Sequence, residues 1–305
     1  MLSFIKKTAV AIFTLFLIAS FTFLLLFLVP GDPVDFILKD GASLEDKNLL
    51  RKELGLDKSF MAQYVQFLKN ISSLNLGQSV HTGDQVLHSI ARQFPFTFFL
   101  TVMSLGLALL WGISFGVLSA YPRFKKWDKF FNFFPLIFFS VPVFVSAPLL
   151  IWLFSNQLKW LPVSGVGSFS YLLLPSISLA LPLGAILMKM TRASILEVLS
   201  SDYVRTANSK GLSISQVYFK HVLKNAFIPI LTVLGLQMGS LLTGTVIVET
   251  IFDRPGIGSL LYQSIVSRDY PLVQALVLLI AFIYIFINWL TDWFYKLFNP
   301  FMESS

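Results

Sequence analysis

Six long apolar runs divide this chain, at roughly 8–29, 95–120, 131–155, 171–190, 226–251 and 272–294. Each approaches or exceeds the roughly 20 residues that an α-helix needs to cross a bilayer. A segment inside lipid must satisfy its own backbone hydrogen bonds, so runs of this length are read as helices. Composition agrees: 55% of the 305 residues are hydrophobic, 13% are charged, and the mean hydropathy is +0.74. Soluble domains carry about 25% charged residues. The expected fold class is therefore an all-α polytopic membrane protein with six transmembrane helices.

Prolines grade these runs. Pro175 and Pro182 interrupt the fourth, making it the weakest, and Pro135, Pro142 and Pro148 fall in the third. Kinked spans of this kind suggest a bundle around a cavity. The first run follows Lys6 and Lys7, as a signal peptide would, but it is too long for one. No A-x-A site follows it, and it is read as a retained helix.

The net charge of +7 sits in short loops beside the spans, where it sets topology and does not point to nucleic acid. Lys6, Lys7, Arg123, Lys125, Lys126, Lys129 and the cations from Lys189 to Lys224 fall on one side. Lys159, Arg254 and Arg268 fall on the other. Positive charge is retained inside, so both termini are expected in the cytoplasm and segment 30–94 outside. Trp152, Trp160, Trp289 and Trp293 flank spans as interfacial residues do.

Segment 30–94 carries its own punctuation. Ser43-x-x-Asp46 predicts a capped helix through Leu54, ended by Gly55. Residues 59–73 form a second amphipathic pattern, and Leu76-Gly77 and Thr82-Gly83-Asp84 mark turns. His81 and His88 have no carboxylate at ligand spacing and read as solvated or packed.

Chemistry points away from catalysis. The chain has no cysteine and no G-x-x-x-x-G-K-[ST] phosphate loop, and His221 has no triad partner nearby. Catalytic, cofactor-binding and metal residues are therefore expected to be none. Polar residues do occur in the fifth run: Gln237, Gly239, Ser240, Thr243, Gly244 and Thr245. Small residues there suit helix packing. Gln237 suits a wet route, because an amide buried without a partner is costly. Thr243 and Glu249 are weaker route candidates, and Glu249 can equally contact an extracytoplasmic partner, cap Arg254 or gate the outer end.

The polar insert 202–229, DYVRTANSKGLSISQVYFKHVLKNAFIP, separates the fourth and fifth runs. Gly211 breaks it into two helical halves, as suits a short element lying on the membrane surface and seating in a soluble partner. A solvated basic loop that only sets topology would have the same composition.

Asp202-Tyr203-Val204-Arg205-Thr206-Ala207, Gly211-Leu212-Ser213, His221-Val222-Leu223-Lys224-Asn225-Ala226 and Ile228-Pro229 closely resemble the cytoplasmic signature of ABC-importer permeases. The similarity is greatest to the dipeptide/oligopeptide/nickel branch, on the subunit with a large first extracytoplasmic loop. Further matching pieces run in order along the chain. They are Pro30-Gly31-Asp32-Pro33, Leu54-Gly55-Leu56-Asp57, Leu76-Gly77-Gln78-Ser79, Leu161-Pro162-Val163-Ser164-Gly165, Val248-Glu249-Thr250-Ile251-Phe252, Pro255-Gly256-Ile257-Gly258 and Arg268-Asp269-Tyr270-Pro271. Arg205-Thr206-Ala207 stands where the general signature has E-A-A, and His221-Val222-Leu223-Lys224 where it has I-x-L-P; the peptide branch shares both departures.

The resemblance implies a type I ABC-importer permease fold in a bacterial or archaeal cytoplasmic (inner) membrane. It implies three regions: an N-terminal helix with its extracytoplasmic region (1–94), the transmembrane domain (95–294, with coupling segment 202–225) and a tail (295–305). Asp202, Arg205, Thr206, Ala207, Gly211, His221 and Asn225 would couple to the ATPases. The implied partners are a second permease, two cytoplasmic ATPase subunits that bind ATP and Mg, and an extracytoplasmic solute-binding protein. Di- or oligopeptides are the first expectation for the solute, with nickel or metal chelates as the alternative. An ion-driven secondary transporter would place carboxylates or broken helices near the bilayer midplane. No acidic residue lies mid-span here.

Overall fold

The structure, a computed structural model, describes residues 2–28, 34, 38, 43–53 and 55–298. Pro30-Gly31-Asp32-Pro33, Leu54 and the tail from 299 lie outside the described residues. Among the described residues the regular structure is helical, apart from one bridge pairing Gln78 with Gln85. Two compact units emerge, one within 1–95 and 259–285, the other within 96–258 and 286–305.

In the first unit, α1 (Leu2–Leu28) is the first expected span. The Ser43 signal is realised: its Oγ accepts from the Asp46 N–H at 3.1 Å and opens α2 (Leu44–Glu53). Gly55 takes φ +68°, and the Leu56 N–H returns to the Arg51 carbonyl at 2.9 Å. This is a left-handed helix stop that glycine adopts without a Cβ penalty. The expected amphipathic helix is α3 (Phe60–Ser72). It packs on α1 through Phe23, whose ring centroid lies 5.2–5.6 Å from those of Phe60, Tyr64 and Phe67. The hydroxyls of Ser20 and Tyr64 share a 2.6 Å hydrogen bond at the same seam. Asp269 is buried, accepts from the Ser79 hydroxyl at 2.5 Å, and lies beside the start of α11 (Tyr270–Phe298).

The second unit is built on close helix packing. Its helices are α4 (Val86–Ala120, which begins in the first unit), α5 (Asp128–Ser140), α6 (Val143–Leu150), α7 (Ser170–Leu199), α8 (Asp202–Ser209) and α9 (Leu223–Ile251), and α10 (Ile257–Val266) starts in it and continues in the first unit. On α4, Gly112 and Gly116 face α7, and a Cβ on Gly112 would fall 2.6 Å from the Gly184 carbonyl oxygen. Small residues let two spans approach this closely where no hydrophobic effect drives them together. The Trp111 indole fills the space over Gly184 and donates to the Ala180 carbonyl at 3.1 Å.

The third expected span, 131–155, departs from a single helix. It is a broken pair, α5 followed by α6 and a π-helical turn Ile151–Gln157, bent by 96°. Pro142 is the cause: it forces the preceding Val141 into extended backbone (φ −91°, ψ 115°), which ends α5. The fourth span corrects the opposite way. Despite Pro175 and Pro182, α7 is continuous to Leu199, and it is the most enclosed of the candidate spans. Among the described residues five helices are long and apolar enough to cross a membrane, or six if the bent pair is one span.

Candidate coupling site

The insert folds from local signals. Helix α8 carries Asp202, Arg205 and Thr206 on an exposed face, while Val204 and Ala207 are buried. The Thr206 hydroxyl donates to the Asp202 carbonyl at 3.0 Å. Arg205 and Asp202 form a solvated 3.7 Å ion pair, a type that contributes little to stability. Gly211 then turns the chain at φ +80°, with nothing among the described residues within 4 Å of where a Cβ would stand. The glycine is therefore required by backbone conformation, not by a close neighbour.

The helical half expected after Gly211 is present, and it opens on a cap that sequence reasoning missed. Ser213-x-x-Gln216 is a reciprocal capping box: Gln216 N–H donates to Ser213 Oγ at 3.3 Å, and Ser213 N–H to Gln216 Oε1 at 3.1 Å. The chain runs on through Ile214–Gln216 and a π-helical turn, Val217–Val222, directly into α9. The second half of the insert is thus the beginning of the fifth span, not a separate surface helix. The apolar pattern of Val217, Tyr218 and Val222 continues without a break into Ala226, which explains why no stop intervenes.

These residues share one buried cluster with Val204, Ala207, Ala120 and Ile195, flanked by Val117, Tyr121 and Val198. The insert is therefore fastened to the ends of α4 and α7. Two further bonds close it: Asn225 Nδ2 donates to the Tyr203 hydroxyl at 2.8 Å, and the Ser194 hydroxyl donates to the Ala226 carbonyl at 2.9 Å. Asp202, Arg205, Thr206, Gly211 and Asn225 are exposed, His221 is half-buried, and Ala207 belongs to the packed side.

The residues suggested for a route are not brought together in this way. Gln237 is half-buried on α9. Thr243 lies on the same helix, with its side chain outside the described residues. Glu249 is fully buried. Its Oε1 accepts from the Thr97 hydroxyl at 2.5 Å and its Oε2 from the Gly258 N–H at 2.8 Å. Thr97 Oγ1 also accepts from the Ile257 N–H at 2.8 Å, so two free amides at the start of α10 are satisfied by side chains. In this structure Glu249 faces the chain's own turn and presents no surface. Arg254 is buried beside Phe96, its guanidinium carbon 6.0 Å from the ring centroid. Burial pushes its basicity below the ordinary arginine value, and the nearby Glu249 carboxylate opposes that shift.

Similarities to known proteins fit this architecture. Residues 112–304 match the family described as binding-protein-dependent transport system inner membrane component, and residues 1–101 match its N-terminal counterpart. The chain is 39% identical to a probable peptide ABC transporter permease of Sinorhizobium fredii, over 97% of each sequence. It is 40% identical to the glutathione transport system permease GsiC of Pectobacterium atrosepticum, again over 97% of each. In fold it resembles the inward-facing MetNI methionine ABC transporter, with a TM-score of 0.60 at 16% identity, covering 69% of this chain and 96% of that one. An amino acid ABC transporter gives a TM-score of 0.51 at 19% identity, over 70% and 94% of the two chains. This chain therefore belongs to the binding-protein-dependent transport system inner membrane components, and it is a permease subunit of an ABC importer with the type I fold.

Proposed function

We propose that this permease imports di- or oligopeptide-like solutes, with the glutathione and peptide permeases named above as guides to solute class. It acts with a second, related permease, two cytoplasmic ATPase subunits that bind ATP and Mg, and an extracytoplasmic binding protein that delivers the solute. The chain itself hydrolyses nothing. Both termini face the cytoplasm, segment 30–94 lies outside, and the working body is 95–294 with a short tail from 295.

In this reading the insert 202–225 docks on an ATPase subunit. One observation carries it: a polar face with Asp202, Arg205, Thr206 and Gly211 is exposed, while its back is sealed into the buried cluster on α4 and α7. A loop that served topology alone has no need of a packed back. The exposed side is free to seat in a partner groove, and the packed side can pass displacement to the spans. Asn225 ties the base of this element through the Tyr203 hydroxyl, and Ala207 and the half-buried His221 belong to the same element.

The route runs between the two permeases, along α9, with Gln237 as its wall residue and Thr243 as a weaker candidate on the same helix. Glu249 is best assigned as the tie that shapes the turn at the outer end of α9. Import of nickel or another chelate by the same machinery is the alternative for the solute. The test is uptake by the complete reconstituted importer. ATP-dependent uptake of glutathione or a small peptide supports the peptide reading. Uptake confined to a nickel chelate replaces it.

A further inference from the structure

Helix α4 ends at Ala120, and its last carbonyls have no partner within the helix. Two of them are taken by side chains far away in sequence. The Val117 carbonyl accepts from the Tyr218 hydroxyl at 2.6 Å. The Ser119 carbonyl accepts from the Arg192 guanidinium of α7. The Leu118 carbonyl between them accepts from the Tyr121 N–H, closing the helix by a tight turn. Cations and donors at a helix C-terminus are favoured there by the aligned peptide dipoles.

The donors are held as firmly as the acceptors. Tyr218 is almost fully buried, and Tyr121 stands edge-on to its ring at 5.0 Å. It sits in the π-helical turn Val217–Val222 that joins the insert to α9. Turns of this kind recur at functional joints in helices. Arg192 is also paired with Asp128, the first residue of α5. One helix end thus gathers the insert, α7, and the start of α5.

We propose that this end of α4 is the joint through which displacement of the insert reaches the spans, with Tyr218 and Arg192 as its positioning residues. The inference rests on the coupling role given to the insert above. Apolar packing alone holds the parts together but lets them slide, because it is non-directional. The two directed bonds fix the register of the insert against α4. Without them the ATPase can still move the insert, and the spans follow less faithfully.

The absence of native cysteine allows single-site labelling of the full importer in lipid. A spin label at Ser200→Cys reports the exposed junction where α7 hands over to the insert, and one at Thr250→Cys reports the far end of α9. In the otherwise unaltered complex both spectra should change when MgATP and vanadate are added. With Tyr218→Phe, which removes one oxygen, the change at 200 should persist. The shift in conformer ratio at 250 should fall about fivefold, the scale of one lost buried hydrogen bond. Arg192→Gln should give the same split, and it carries the test if Tyr218→Phe does not assemble. A Tyr218→Phe complex with a full response at 250 overturns the joint while leaving the coupling insert in place. A label at 200 that stays silent in the unaltered complex overturns the coupling role itself, and the joint with it. A merely structural role for Tyr218 would lower thermal stability and leave the responses at 200 and 250 in proportion.

Discussion

Thr97 and Glu249, 152 residues apart, meet in a buried 2.5 Å hydrogen bond. Thr97 also accepts from the Ile257 amide and Glu249 from the Gly258 amide, so the pair fixes the tight turn between α9 and α10. A carboxylate is suited to this place. It offers several acceptor sites, and the amides at a helix start favour negative charge.

Breaking that tie should destabilise the subunit. Glu249→Ala strands the Thr97 hydroxyl and the Gly258 amide, at a cost of about 2–3 kcal/mol by the scale of charged hydrogen bonds. Thr97→Val should cost about 1 kcal/mol or more, and Thr97→Ser should be near neutral. Gly256→Ala should resemble Glu249→Ala, because its Cβ would collide with the Glu249 carboxylate. Thermal denaturation in detergent measures all four. Unchanged stability of Glu249→Ala would return Glu249 to the list of route residues.

Gly211 separates two physical accounts of the insert. Its φ of +80° disfavours any side chain, and the space around it is open. Gly211→Ala should already weaken uptake by straining the turn, by about 1 kcal/mol of local stability. Gly211→Asn should be milder, since asparagine tolerates the left-handed region. Gly211→Trp should abolish uptake with the protein still in the membrane, by blocking the partner groove. Equal uptake in all three variants would leave the insert as a topological loop.

Topology is open to thiol labelling. Thr82 is exposed, whereas its neighbour Ser79 is buried against Asp269 and a poor reporter. A cysteine at Thr82 should react with an impermeant reagent in intact cells, after permeabilising any outer membrane. A cysteine at Ser209 should not. The reverse pattern would invert the orientation given by the lysines and arginines.

These sites show what a single sequence makes legible. The Ser43 cap, the Gly55 stop and the spans could be read because each depends on neighbours in sequence. The 96° break at Pro142 lay in a run that hydropathy alone joins, since apolarity does not record direction. The Ser213–Gln216 box is local in the same way, its two bonds spanning three residues. Glu249 was legible only as alternatives: its location near a helix end fitted an outer mouth or a local cap equally, and the contacts with Thr97 and Gly258 show it enclosed. Such contacts leave no local periodicity to read.

Gln237 tests where the route lies. Gln237→Leu should reduce uptake without loss of assembly, because the wall loses a hydrogen-bonding group. A photo-crosslinker at 237 should capture the second permease. Capture of lipid in the assembled complex would place that face against the bilayer.

The most direct measurement is transport by the complete importer in sealed proteoliposomes, with the binding protein outside and no ion gradient. The account predicts glutathione or peptide uptake only with MgATP within, stopped by vanadate and by Gly211→Trp. Uptake that proceeds without ATP, driven by an imposed ion gradient and indifferent to Gly211→Trp, would contradict it.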